Sequence, residues 1–332
     1  MKKSVKYSLI AFIAFDVLAA ALICAYLFLV KNYWESPNSY AKTQVELLIE
    51  KGDSFNQIIE QLADASVIDK PSLFKIFAYA NKHHNKYLAG YYQFDAHLSP
   101  KKVSEKLVNG DVATFDITFP EGFLSEQIVQ ILQNEKHLSG EIAEIPSEGS
   151  LLPETYHFNH GELRKHIIKK MQQLMANKLD EAWQNRNPNL PYKNKEEAMI
   201  MASIIEKETG ITSERTKVAA VFVNRLRKGM KLQSDPTANY GIYKEVGELK
   251  KELNGTDINH YSVYNTYVIN GLPATPICNF GEDSLNAAFN PAQIDDLYFV
   301  ANGEGGHNFA RTLSEHNRNV AKYRQKRSKQ HD

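Results

Sequence analysis

From Tyr7 to Val30 the chain reads YSLIAFIAFDVLAAALICAYLFLV, and Asp16 is the one charge in it. Roughly 20 consecutive apolar residues make an α-helix long enough to cross the hydrocarbon core of a bilayer. A helix there satisfies its own backbone polar groups, which an irregular chain cannot do. Residues 7–30 therefore predict a transmembrane helix, and everything after it folds on one side of a membrane. Lys2, Lys3 and Lys6 precede the run. This excess of positive charge makes residues 1–6 a cytoplasmic tail and puts the rest outside. The expectation is a single-pass protein of the cytoplasmic (inner) membrane, periplasmic beyond the span in a Gram-negative cell. A cleaved signal peptide has a shorter apolar core and a small-x-small exit. FLVK at 28–31 is not such an exit, so an uncleaved anchor is expected. Asp16 is a functional candidate by its depth, or a polar residue tolerated in a lone span. Cys24 follows the bulky Ile23, where a lipoprotein cysteine follows a small residue, and reads as membrane filler.

The 332 residues suffice for two domains with cores of their own. Thirty-nine Lys and Arg balance 39 Asp and Glu, so the basic surplus of a nucleic-acid binder is missing. Cys278 is the one cysteine outside the span; an exported fold without an intrachain disulfide depends on its apolar cores. Residues 31–43, polar and carrying Pro37, read as a linker. A strand at 45–49 follows, then a turn at Gly52-Asp53 and a helix capped by Ser54 with Ile58, Ile59 and Leu62 at helical spacing. Pro71 opens a second helix, AGYYQF returns as a strand, and SPKKVSEKLVNG is a helix closed by Gly110. FDITFPEGFLSEQIVQILQN repeats the order strand, glycine turn, helix. The first β-α-α-β stretch resembles a LysM-like peptidoglycan-binding unit. We expect an α+β protein: a LysM-like module at 44–112, a connecting α+β segment at 113–165 in which LLPETYHF links the two halves, an α+β catalytic domain at 166–325, and a polar tail at 326–332. In the long helix beginning GELRKHII, the apolar stripe includes Ile167, Met171, Leu174 and Leu179.

MASIIEKETG, residues 201–210, ends an apolar run with two glutamates around a lysine. Asn194 caps this helix, with Glu197 placed for a capping box. At about 100° per residue, seven residues bring Glu208 to within about 20° of Met201, inside the apolar face. Glu206 lies about 140° from Met201 and reads as a solvated helix charge. A carboxyl on a buried face loses water, which favours its protonated form, and a general acid for glycosidic cleavage needs that property near neutral pH. The competing reading pairs Glu208 with an arginine such as Arg215 or Arg225.

The segments ASIIEKET, VFVNRLRKGMKLQSDPTANYG, YNTYVINGLPATPICNFG, SLNAAFNP and LYFVANGEGGHNFARTLSEHN follow one another in that order. Together they resemble the YceG-like, MltG-type endolytic murein transglycosylases over about residues 45–325, the C-terminal half by motif and the N-terminal half by architecture. The resemblance implies that the second glutamate of EKE, Glu208, is the catalytic acid. Its Glu-Thr pair is similar to the Glu-Ser of other lytic transglycosylases. It also implies cleavage between N-acetylmuramic acid and N-acetylglucosamine inside glycan strands, leaving 1,6-anhydro ends, with no cofactor. Peptidoglycan strands, the membrane through residues 7–30 and cell-wall synthases are the partners it points to, and nucleic acid is not one. Pro273-Ala274 and Asn279-Phe280-Gly281 depart from the family's Gly-Leu-Pro-Pro and Asn-Pro-Gly patterns, which bears on loop shape.

Supporting residues come from the same motifs. Asn224 and Arg225 lie on the helix after the acid; Gln233, Ser234, Asp235 and Thr237 form a polar segment; Tyr264, Asn265 and Tyr267 are candidates for a sugar groove; and His307 follows a glycine-rich turn. Asp235 is either a second carboxyl, as in a hydrolytic muramidase, or the start of a turn or helix in SDPT. His307 bonds the substrate, the acid or loop backbone. The pairs His83-His84 and His157 with His160 carry no zincin pattern, so no metal site is expected. A noncatalytic cell-wall-binding protein is the remaining rival class.

Overall fold

The computed structural model describes residues 2–37 and 43–331, with side chains for 12–37 and 43–328. Residues 38–42 of the expected linker, the side chains of the expected cytoplasmic tail 1–6 and those of 329–332 lie outside the described residues. The chain divides into two compact units, the first ending at Phe115 and the second beginning at Asp116.

The first unit opens with α1 (Lys2–Glu35). Between Phe12 and Glu35 this helix is long and apolar enough to cross a membrane, its mean hydropathy reaching 2.5. Phe12, Phe15, Leu18, Leu22, Phe28 and Leu29 all stand exposed on it, a surface that water does not favour. The helix does not stop at Val30, and residues 31–35 are not linker. Trp34, buried to 6% exposure, extends the helical register into a core. It stacks on Phe77 with ring centroids 4.8 Å apart and lies 5.5 Å from Phe74. Burying such a ring stabilises by about 3 kcal/mol. There follow β1 (Val45–Ile49), α2 (Phe55–Asp64), α3 (Pro71–Ala80), β2 (Gly90–Phe94) and α4 (Pro100–Asn109). Ser54 and Gln57 close a reciprocal capping box on α2, Pro71 occupies the first turn of α3, and Gly110 ends α4 in the left-handed conformation at φ 70°. β1 and β2 pair antiparallel, Val45 against Phe94 and Ile49 against Gly90. Ile59, Leu62, Phe74, Tyr92, Phe94 and Leu107 fill the space between sheet and helices.

The chain passes into the second unit within β3 (Thr114–Thr118). Next come α5 (Ser125–Asn134), β4 (Thr155–Asn159), α6 (Arg164–Gln184), α7 (Lys195–Glu208), α8 (Thr212–Arg227), α9 (Asp235–Val246), α10 (Gly255–Asn259), α11 (Glu282–Phe289), β5 (Tyr298–Ala301), β6 (His307–Ala310) and α12 (Leu313–His331). β3 pairs with β4, and β5 with β6 antiparallel, Tyr298 against Ala310. The architecture is thus mixed α+β with small two-stranded sheets.

Residues 116–165 belong to this unit rather than forming a separate connection. LLPETYHF runs into β4, and Leu124 and Leu152 join the core of α7 and α8. Asn279 stitches the same region inward: its Oδ1 accepts from the Leu151 amide at 3.0 Å and its Nδ2 donates to Ser125 Oγ at 2.9 Å. On α6 the buried stripe is Ile167, Ile168, Met171, Met175 and Ala182, while Leu174 is 41% exposed. Asn194 caps α7 through the Glu197 amide at 2.9 Å, but the Glu197 carboxylate accepts from the Lys193 amide, one residue before the cap, so the box is not reciprocal. α12 continues as helix into the stretch read as a polar tail.

The decisive element is α7. Ala198 and every residue from Ile200 to Ile205 are buried, because α8 and α9 pack on it together with α11. Over that stretch the helix is covered all round and has no solvated face.

Candidate active site

Glu208 is the last residue of α7; Thr209 turns extended at φ −147° and ends the helix. The carboxyl is thereby delivered from a rigid, buried rod to the edge of the core. Its Oε1 accepts a hydrogen bond from Ser234 Oγ at 2.5 Å. Ser234 occupies the N-cap of α9, where a serine hydroxyl ordinarily accepts from the helix's own amides. Here no such bond forms, and the hydroxyl points to Glu208 instead.

A lattice of hydroxyls fixes that orientation. The Ser234 amide donates to Thr266 Oγ1 at 3.0 Å, and Thr237 Oγ1 donates to the Ser234 carbonyl at 2.6 Å. Thr237 has only one hydroxyl proton, so in its 2.8 Å contact with Thr266 the latter is the donor. Gln233, just before, is held at φ 53°, a left-handed conformation unusual for a residue with a side chain. Its amide donates to the Thr266 carbonyl at 3.2 Å.

Burial pushes the Glu208 carboxyl up to about 7; the Ser234 bond opposes this, the charge of Asp235 adds to it, and Arg225 opposes it. A carboxyl in that range exchanges its proton near neutral pH, as acid–base catalysis requires.

Glu208 opens on a cavity of about 350 Å³. Arg225, Gln233, Asp235 and Tyr267 line it, together with Tyr298 and His316, which sequence reasoning did not single out. Arg225 is held by carbonyls, its Nε donating to Leu297 at 2.6 Å and an Nη to Leu232 at 2.7 Å, and it lies over the Tyr298 ring at 5.2 Å. Asp235, exposed at the start of α9, accepts from the Tyr267 hydroxyl at 2.5 Å. Burial and that bond raise the Tyr267 phenol, keeping it a neutral donor. His316 stacks on Tyr298 at 5.2 Å. Burial and then Arg225 lower its pKa, so its ring is neutral at pH 7.

Other candidates hold the frame. Asn224 donates to the carbonyls of Ile294 and Asp296 at 2.8 and 3.1 Å. Asn265 donates to those of Ile258 and His260 and accepts from the Tyr267 amide at 3.0 Å, which sets the loop presenting Tyr267. Tyr264 packs edge-on against Tyr240 at 4.9 Å. Thr237 is buried in the lattice beneath Ser234. His307 is placed against Glu214, its Nδ1 at 2.7 Å and its amide at 3.0 Å from that carboxylate, and is not among the groups around Glu208.

Glu206 is not a solvated charge. Its side chain is 6% exposed and pairs with Arg215 at 3.3 Å, while its other oxygen accepts from the Gly281 amide at 3.0 Å. Arg215 also reaches Glu121 at 2.9 Å and Asp283 at 3.3 Å. The outer face of α7 is closed by this network, because the 279–283 segment and α11 lie over it. Arg215 therefore serves Glu206 and not Glu208.

Comparison with known proteins places this geometry. Residues 47–322 match the model of the YceG-like family. A Bacillus subtilis protein named endolytic murein transglycosylase is 30% identical, the match covering 88% of each chain. A protein of the same name from Streptococcus pneumoniae D39 is 26% identical over 85% of this chain and 59% of its own, longer sequence. The crystal structure of a YceG-like protein from Listeria monocytogenes superposes with a TM-score of 0.50 at 29% identity, covering 83% of this chain and 99% of that one.

Proposed function

The chain belongs to the YceG-like family, and on that premise we propose that it is a membrane-anchored, endolytic lytic transglycosylase of peptidoglycan with Glu208 as its one general acid and base. The observation that carries the proposal is the Glu208 carboxyl, held near 7 at the end of a buried helix and opening on a cavity. The transglycosylase names of the Bacillus and pneumococcal relatives support it.

Glu208 gives its proton to the oxygen linking N-acetylmuramic acid to N-acetylglucosamine as the C1–O bond breaks. The carboxylate left behind keeps the Ser234 hydrogen bond. It then takes the proton of the muramic 6-hydroxyl while that oxygen bonds to C1 and closes the 1,6-anhydro ring. Glu208 ends protonated, and no water enters. An attacking group already on the substrate has a high effective concentration, so one carboxyl suffices where ordinary glycosidases use two. Asp235 favours a second reading: it is an exposed carboxylate on the same cavity, and a muramidase would use it with Glu208.

Digestion of unlabelled peptidoglycan in heavy-oxygen water separates the two. Anhydro-ended fragments free of label are expected. Label at the new reducing end overturns transglycosylation in favour of the hydrolase. Fragments from mid-strand, with short oligosaccharides poorly cut, are expected of an endolytic enzyme that uses remote sugar contacts to position the bond.

We read α1 as the anchor, with residues 1–6 cytoplasmic and everything after Val30 outside, where the substrate lies. We read the β1-α2-α3-β2 stretch as a LysM-like glycan-binding module. A reporter that works only in the cytoplasm, fused after Asp332, is expected to be silent; a working one overturns this topology.

A further inference from the structure

A second cavity, of about 600 Å³, meets the first at Asp235, which lines both. Its lining carries a positive surplus. Lys207, Lys250, Lys251 and Arg327 border it against Asp235 and Glu252. Lys207 is the residue next to Glu208, so the basic cleft begins beside the acid. Its Nζ donates to a backbone carbonyl, that of Gly122, at 3.1 Å. Lys250 is engaged by Asp257 at 2.5 Å. Lys251 and Arg327 are exposed and take part in no ion pair among the described residues. Leu249, Leu253 and Ile277 give the same cleft an apolar wall.

Neutral sugars offer no charge partner to Lys251 and Arg327. An anionic group with an apolar body fits both the exposed cations Lys251 and Arg327 and the wall, because a surplus of one sign concentrates ligands of the other. Resting on the transglycosylase reading, we propose that this cleft binds the peptide substituent of the glycan strand. The peptide's carboxylates would face Lys251 and Arg327 while the muramic residue that carries it sits over Glu208. The enzyme then selects peptide-bearing strands over bare ones.

The test uses the full-length protein and two preparations of the same strands, one with peptides intact and one with them removed at the lactyl amide. Stripping hydrolyses the lactyl amide, so it removes the peptide's charges and exposes one new lactyl carboxylate on each muramic residue. The double variant Lys251→Glu/Arg327→Glu changes exposed side chains, and Lys165→Glu/Lys228→Glu makes the same charge change outside both cavities. On peptide-bearing strands the cleft variant is expected to raise KM about tenfold with kcat unchanged, roughly threefold for each exposed charge contact. On stripped strands it is expected to match the wild type, and the control variant to match it on both.

An unchanged KM on peptide-bearing strands overturns the proposal. An equal rise on stripped strands also overturns it, assigning the cleft to contacts that do not need the peptide. Failure of the wild type to cut either preparation overturns the transglycosylase reading itself, and the inference with it.

Discussion

Replacing Glu208 by glutamine tests the chemistry of the site through its stability as well as its activity. The carboxyl is raised from an ordinary 4.5 to about 7. Its proton is therefore bound more tightly in the folded chain than in the unfolded one. Between pH 4.5 and 7 the folded state keeps a proton that the unfolded state has released, so stability falls as pH rises through that window. Below 4.5 both states are protonated and nothing is lost; above 7 the full cost is present. At 1.36 kcal/mol per pKa unit the cost is about 3 kcal/mol. Glu208→Gln keeps the shape and removes the charge, so at pH 8 the variant is expected to be about 3 kcal/mol more stable than wild type. At pH 4.5 the two should coincide. Urea titration followed by tryptophan fluorescence reads this out. The chain has two tryptophans, and in a Trp34→Phe background the signal comes from Trp183, which packs on Phe289 at 5.9 Å in the second unit. The same variant is expected to bind glycan and not cut it. Identical midpoints at pH 8, with a wild-type curve flat from pH 5 to 8, would show that Glu208 is not held near 7 and would remove the ground for calling it the acid.

Other perturbations reach the site's supports. Ser234→Ala removes the hydroxyl that favours the carboxylate form, so the alkaline limb of the pH–rate profile is expected to move up by roughly one unit; an unmoved limb would refute the role given to Ser234. Glu206→Ala leaves Arg215 with Glu121 and Asp283 only, and is expected to cost about 3 kcal/mol, the low end for breaking a buried pair. A loss under 1 kcal/mol in urea would return Glu206 to the solvent. Trp34→Ala is expected to destabilise the first unit by about 3 kcal/mol and leave the Trp183 transition in place; a shift in that transition would contradict the division into two units.

Features written locally were legible in the sequence. Ser54, Pro71 and Gly110 mark helix ends with their own side chains or backbone, and the structure has those ends. The place of Glu208 on the apolar face was legible because seven residues from Met201 return to the same helix face. Glu206 was misread for the same reason: the periodicity argument assumes that a helix has one dry side, and α11 and the 279–283 segment, more than 70 residues downstream, dry the other. Its bond to Gly281 spans 75 positions. Trp34 was read as linker because its neighbours are polar, although the aromatic ring decides where it sits. Tyr264 and Tyr267 look alike in a loop without period. Only the loop's internal bonds, those of Asn265, turn one to the core and the other to Asp235. His316 stood in a quoted motif, but nothing in its spacing announces that α12 brings it to Tyr298.

The value near 7 is a balance: burial and the charge of Asp235 raise it, while the Ser234 bond and Arg225 lower it. Glu208 closes α7, where the carbonyl end of the helix disfavours a negative charge, and faces the start of α9, where exposed amides favour one. Ser234 adds a donor by giving up its own cap. In the proposed reaction, burial without these opposing groups would hold the proton throughout, and the carboxyl could not later accept one from the 6-hydroxyl. Full solvation would leave it ionised and unable to protonate the leaving oxygen. A single residue can serve both half-steps only between those limits. The meeting of α7 and α9 at Ser234 keeps Glu208 there, and it also explains why α9 begins with a serine that does not cap it.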